Sequence, residues 1–103
     1  HYMRPLNEFL NEENNFEGKT WEDQRDNTLN IYIDTPSNAY IKVDKSQIDS
    51  PIKENKQYVI VNGDYFDGNG GETDCYVIID KKKESIVGYD HWNYKMLIKL
   101  YFK

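Results

Sequence analysis

Apolar residues recur with two different periods along this chain, and the change of period divides it. Leu6, Phe9 and Leu10 fall at i, i+3 and i+4 behind Pro5, the spacing of a short amphipathic helix whose first turn accepts proline. Asn14, Asn15 and Gly18 supply its end. Residues 19–28 are polar except for Trp21 and fit either a second helical turn or an ordered loop. From residue 29 the period becomes two, the signature of strands with one buried face. Leu29, Ile31 and Ile33 alternate with polar positions, Thr35-Pro36-Ser37-Asn38 supplies a turn, and Ala39, Ile41 and Val43 alternate again, which predicts a hairpin. Residues 44–56 are polar, with Ile48 and Ile52 on either side of Pro51, and predict a connection with one helical turn. Further strands are expected at Tyr58–Val61, Cys75–Ile79, Ser85–Tyr89 and Met96–Phe102, the last placing Met96, Ile98, Leu100 and Phe102 on one face. An N-terminal short helix and about six strands without regular alternation predict an α+β domain with a mainly antiparallel, curved sheet.

Composition narrows the class. At 103 residues the expectation is one domain over 1–103, with His1-Tyr2 ahead of Met3 read as a tag remnant. Hydrophobic residues at 38% and aromatics at 15% provide enough surface for one small core. No apolar run approaches the roughly 18 residues that span a bilayer, and no secretory leader pattern opens the chain, so a soluble protein without a membrane partner is expected. Cys75 is the only cysteine and cannot form an internal disulfide, which fits a reducing, cytoplasmic setting and a small buried side chain. With His91 as the one histidine outside the tag remnant, the four Cys/His ligands of a structural zinc site are lacking. The formal charge is −5. Acids dominate residues 1–80, whereas six of the eleven lysines fall in residues 81–103. An acidic body argues against direct nucleic-acid binding and favours a basic protein partner. Lys81-Lys82-Lys83, between two apolar runs, predicts a solvated turn. Abundant Lys, Asn and Ile beside a single Ala match the codon bias of an AT-rich genome, such as that of a low-GC bacterium or its phage.

Chemistry-bearing motifs are scarce. Dinucleotide and phosphate loops, a nucleophile elbow, His-Glu-x-x-His and Cys-x-x-Cys are absent, so a protein that is not an enzyme and needs no cofactor is expected. A site assembled in space around His91 is the remaining catalytic option. The stretch Asn62–Asp74 holds four of the six glycines and reads as a long hairpin connection. Asp67, Asn69, Glu72 and Asp74 there offer the hard oxygens that Ca²⁺ takes, the alternative reading. Asp67 and Asn69 match the first and third ligand positions of an EF-hand loop, but Glu72 stands where that loop requires glycine.

Gly68-Asn69-Gly70-Gly71, then Val77-Ile78-Ile79-Asp80 and Val87-Gly88-Tyr89-Asp90-His91-Trp92, resembles the glycine loop, central strand and Asp-His/Trp segment of the SUKH family of toxin-immunity proteins. The resemblance covers about a quarter of the chain and implies a bacterial protein that neutralises a toxin by binding it. Trp21, Tyr65, Phe66, Tyr89, Trp92 and Tyr94 fall in or beside expected loops, where Tyr and Trp commonly anchor interfaces, while Tyr32, Tyr40, Tyr58 and Tyr76 are placed to cover a sheet face. The sequence therefore predicts an acidic inhibitor, of the toxin-immunity or phage anti-defence kind, that blocks a basic partner. Its binding residues are expected to be Asp64, Tyr65, Phe66, Asp67, Glu72, Asp74 and Trp92.

Overall fold

The computed structural model describes residues 16–102. Seven strands form one antiparallel sheet: β1 (Phe16–Asp23), β2 (Thr28–Ile33), β3 (Tyr40–Asp44), β4 (Lys53–Glu54), β5 (Tyr58–Phe66), β6 (Glu72–Asp80) and β7 (Ser85–Asp90). Their order is β1-β2-β3-β5-β6-β7, with β4 added beside β5. A 3-10 turn (Lys45–Asp49) follows β3, begun by the Asp44 carboxylate accepting the Ser46 N–H. Helix α1 (Lys95–Tyr101) follows β7. The sheet curls into a half-barrel. First and last strands meet through side chains: the Ile86 N–H of β7 donates to Thr20 Oγ1 of β1 at 2.9 Å, and the Phe16 and Tyr89 ring centroids lie 6.1 Å apart.

Period-two alternation decides what fills the curl. Leu29, Ile31, Ile33, Ile41, Val43, Val59, Val61, Cys75, Val77 and Ile79 point to one face and make the main core. Fully burying such side chains contributes roughly 1.5–3 kcal/mol each, so this inner face dominates stability. Among the described residues the opposite face is covered over only part of its area, where Ile60 and Ile78 meet Leu97 of α1. In β7, Ile79 pairs with Ile86 but Ile78 pairs with Gly88, which leaves Val87 as an extra residue. That bulge lets Ile86 and Tyr89 both join the inner cluster while Val87 joins the outer one.

Four expectations are corrected. The expected α+β class is replaced by a mainly sheet architecture: the described residues are 52% strand and 14% helical, and the short α-helix among them is C-terminal. The helix expected around Leu6, Phe9 and Leu10 lies outside the described residues. Phe16–Asp23 is a strand because its backbone pairs with β2, although its side chains are largely exposed and so carry no alternation. Met96–Phe102 is not a sixth strand. Tyr94, Leu97, Ile98 and Tyr101 recur at i, i+3, i+4 and i+7 and turn together onto β5–β7. Finally, most of Asn62–Asp74 is ladder, with only residues 67–71 turning. Gly63 lies inside β5 because a Cβ there would stand 2.7 Å from Val77 Cγ2. The expected turns at residues 35–38 and 81–84 are present.

Candidate sheet-face interaction site

Helix α1 leaves uncovered the part of the outer face that runs from β1 to the far end of the β5–β6 hairpin. Strand register assembles two things there. One is a row of rings. Tyr32 on β2 pairs with Tyr40 on β3, and Tyr40 pairs with Phe66 on β5. Trp21 and Tyr32 stack with centroids 5.0 Å apart, Tyr32 meets Tyr40 edge-on at 5.9 Å, and Tyr40 and Phe66 stack at 4.7 Å. Trp21 is 39% and Tyr32 44% exposed, while Tyr40 and Phe66 are half-buried, so the row is a continuous aromatic ridge most open to solvent at its β1–β2 end.

The other is negative charge. Lys42, Asp64 and Asp74 stand in one line across β3, β5 and β6, and Glu72 lies opposite Phe66. Like charges in directly opposed positions destabilise a sheet. Partial burial and then the facing Asp74 carboxylate hold the Asp64 carboxyl above its ordinary value, opposed by Lys42. Lys42 is itself 3.6 Å from Asp26 and 5.7 Å from the Phe66 ring centre. An open cleft of about 500 Å³ adjoins the pair, with Asp44, Asn62, Asp64, Asp74 and His91 among its walls. This arrangement can attract cations and present a hydrophobic ridge beside them.

The seven residues expected to bind a partner gather at one end of the hairpin but divide between its faces. Asp64, Phe66, Glu72 and Asp74 share the outer face by register. Tyr65 packs with the inner cluster, its ring 4.5 Å from that of His91, and burial raises its phenol above the ordinary value. Trp92 follows β7 and is 87% exposed. Asp67 is committed to its own turn: its Oδ1 accepts the N–H groups of Asn69 at 2.7 Å and Gly71 at 2.9 Å, and these hold its carboxyl below the ordinary value. Asp67, Asn69, Glu72 and Asp74 are not brought together as a Ca²⁺ cage. Among the described residues no group of three or more His, Cys, Asp or Glu could hold a metal ion.

Tyr32 and Tyr40 are ridge residues that the sequence-derived site set omits. The available signal was their phase, since each alternates with inward Ile31, Ile33 and Ile41 and so must face outward. Among the described residues no helix is long and apolar enough to cross a membrane. No protein-family model, curated protein or solved structure matches the chain.

Proposed function

We propose that this is a non-catalytic binding protein that engages a basic protein partner through the uncovered sheet face. The observation that carries the reading is the row Trp21–Tyr32–Tyr40–Phe66, exposed at Trp21 and Tyr32 and half-buried at Tyr40 and Phe66, ending beside the opposed Asp64 and Asp74 carboxylates. Aromatic ridges supply contact area at small entropic cost, and a neighbouring carboxylate pair steers cationic surfaces into encounter. A partner cation placed between Asp64 and Asp74 also relieves their mutual repulsion. Burial supports the non-enzymatic part of the reading, because it pushes the Cys75 thiol up to about 12 and away from nucleophilic use. An inhibitor of the toxin-immunity or anti-defence kind would work in this way, covering the basic active site of its target.

The test compares two baits, the wild-type protein and the double variant Asp64→Lys/Asp74→Lys, for capture from lysate at low and high salt. A basic protein held stoichiometrically by the wild type, released by salt and missing from the variant, is the expected outcome. Its association rate with the purified variant should be slower and less salt-dependent. A partner captured equally by both baits would overturn the assignment to this face.

A further inference from the structure

On the other side of the hairpin end lies a hollow of about 410 Å³ bounded by Tyr65, Thr73, His91 and Trp92, with Asp67 and Glu72 also in its wall. Its rings are set at steep angles to one another. The Tyr65 and His91 planes meet at 71°, and those of His91 and Trp92 at 52° with centroids 6.1 Å apart. Trp92, at 87% exposure, is held out by an anchored backbone: the carboxylate of Asp90, itself only 6% exposed, accepts the N–H groups of Trp92 at 2.8 Å and Asn93 at 3.2 Å. The turn therefore fixes the backbone that carries the indole, while the ring itself gains little burial. Asp67 is equally fixed, by the two N–H groups that keep it ionised. Among the described residues no lysine or arginine lines the hollow. Burial holds the His91 imidazole below its ordinary value despite Asp90, so near neutral pH this ring adds no positive charge.

Aromatic faces and two carboxylates around a mainly apolar hollow select a cation that sheds water easily. Guanidinium does so, stacks flat on an indole and pairs in a fork with a carboxylate, whereas a lysine ammonium keeps its hydration. We propose that this hollow receives an arginine side chain of the partner, stacked on Trp92 and paired with the Asp67 carboxylate, whose Oδ1 the turn already holds in place. Only the source of the arginine rests on the functional reading above; the hollow's preference for guanidinium can be measured without a partner.

The experiment titrates the protein with N-acetyl-arginine amide and, in separate arms, with its citrulline and lysine counterparts, following by NMR the Trp92 indole N–H and, in wild type and variants alike, the backbone amides of Gly71 and Thr73. Citrulline keeps the shape and loses the charge; lysine keeps the charge and loses the plane. Saturable millimolar binding of the arginine compound is expected, with both counterparts weaker by about tenfold or more. Trp92→Ala, a change at an exposed position, should weaken binding by at least about fivefold without altering the melting temperature, and Glu72→Gln should weaken it less. Citrulline binding as well as arginine would reduce the hollow to an apolar dent, and lysine binding as well would remove the guanidinium assignment. Absence of a saturable shift would overturn the proposal outright. If the arginine arm fails while capture still depends on Asp64 and Asp74, only the hollow is refuted; the reverse pattern refutes the sheet-face reading alone.

Discussion

Replacing Asp74 by asparagine should stabilise this protein at neutral pH. Asp64 sits in register between Lys42 and Asp74, so the substitution removes the repulsive neighbour and leaves the attractive one. Directly opposed residues hold their Cβ atoms roughly 5 Å apart. Two unit charges at that separation repel by about 0.8 kcal/mol at the dielectric constant of water. Screening and side-chain freedom trim an exposed pair, so a gain of about 0.5 kcal/mol is expected, or about 2–4 °C in melting temperature for a domain of this size. The pH dependence has a definite sign. Because folding raises the Asp64 carboxyl above its ordinary value of 3.8, the folded state binds the extra proton and the wild type loses stability as pH rises from 3.8 through the raised value. Below that window the Asp64 carboxyl is protonated, its repulsion with Asp74 is gone, and the advantage of Asp74→Asn should vanish. Thermal melts of the two proteins at pH 7 and pH 3, each at low and high salt, measure it. A variant less stable at pH 7, or a gain that persists unchanged at pH 3, would refute electrostatic opposition in this pair.

Three other outcomes are expected. Gly68→Ala should cost about 2 kcal/mol or more, since φ there is +85° and a Cβ would stand 1.8 Å from the Ser37 carbonyl oxygen, whereas Gly70→Ala, also at positive φ but facing open space, should cost about 1 kcal/mol; urea unfolding of both separates strain from collision. Leu97→Ala should destabilise by about 3 kcal/mol, because the side chain is 1% exposed and anchors α1 on Ile60 and Ile78; a loss under about 1 kcal/mol in urea melts would mean that the helix is not docked there. In the folded protein at pH 8, alkylation of Cys75 by iodoacetamide should be slower than in the unfolded chain by at least about a hundredfold, and equal rates would contradict its burial.

Sheet residues that alternate against a core were legible from the sequence. Leu29, Ile31 and Ile33, and then Ile41 and Val43, could satisfy their side chains in only one register. Strand β1 was not legible, because an edge strand forms by backbone pairing and its exposed side chains need no pattern. The segment Lys95–Tyr101 misled for a different reason: nearly every position is apolar or aromatic, so periods of 2 and 3.6 both fit, and the choice was made by the outer face of β5–β7. Glycine content suggested a long loop over Asn62–Asp74, yet Gly63 is glycine for close packing within a strand. At the site, the chain order did place Asp64, Phe66, Glu72 and Asp74 near one another. It could not show that Tyr65 and Trp92 lie on the opposite side, nor that Tyr32 and Tyr40 extend the ridge, since both depend on which strands become neighbours.

The turn at residues 67–71 is tied down twice. Asp67 closes it from within, and Ser37 Oγ from the β2–β3 turn donates to the Asp67 carbonyl oxygen at 2.5 Å. The two hairpin tips are thus clasped, with the Tyr40–Phe66 stack directly beside them. A segment whose composition suggests slack is in fact held before any partner arrives. If the proposed partner docks on this face, it would meet a surface already ordered, with little chain entropy left to lose on this side and a rate set by electrostatic encounter, free of any wait for a loop to order.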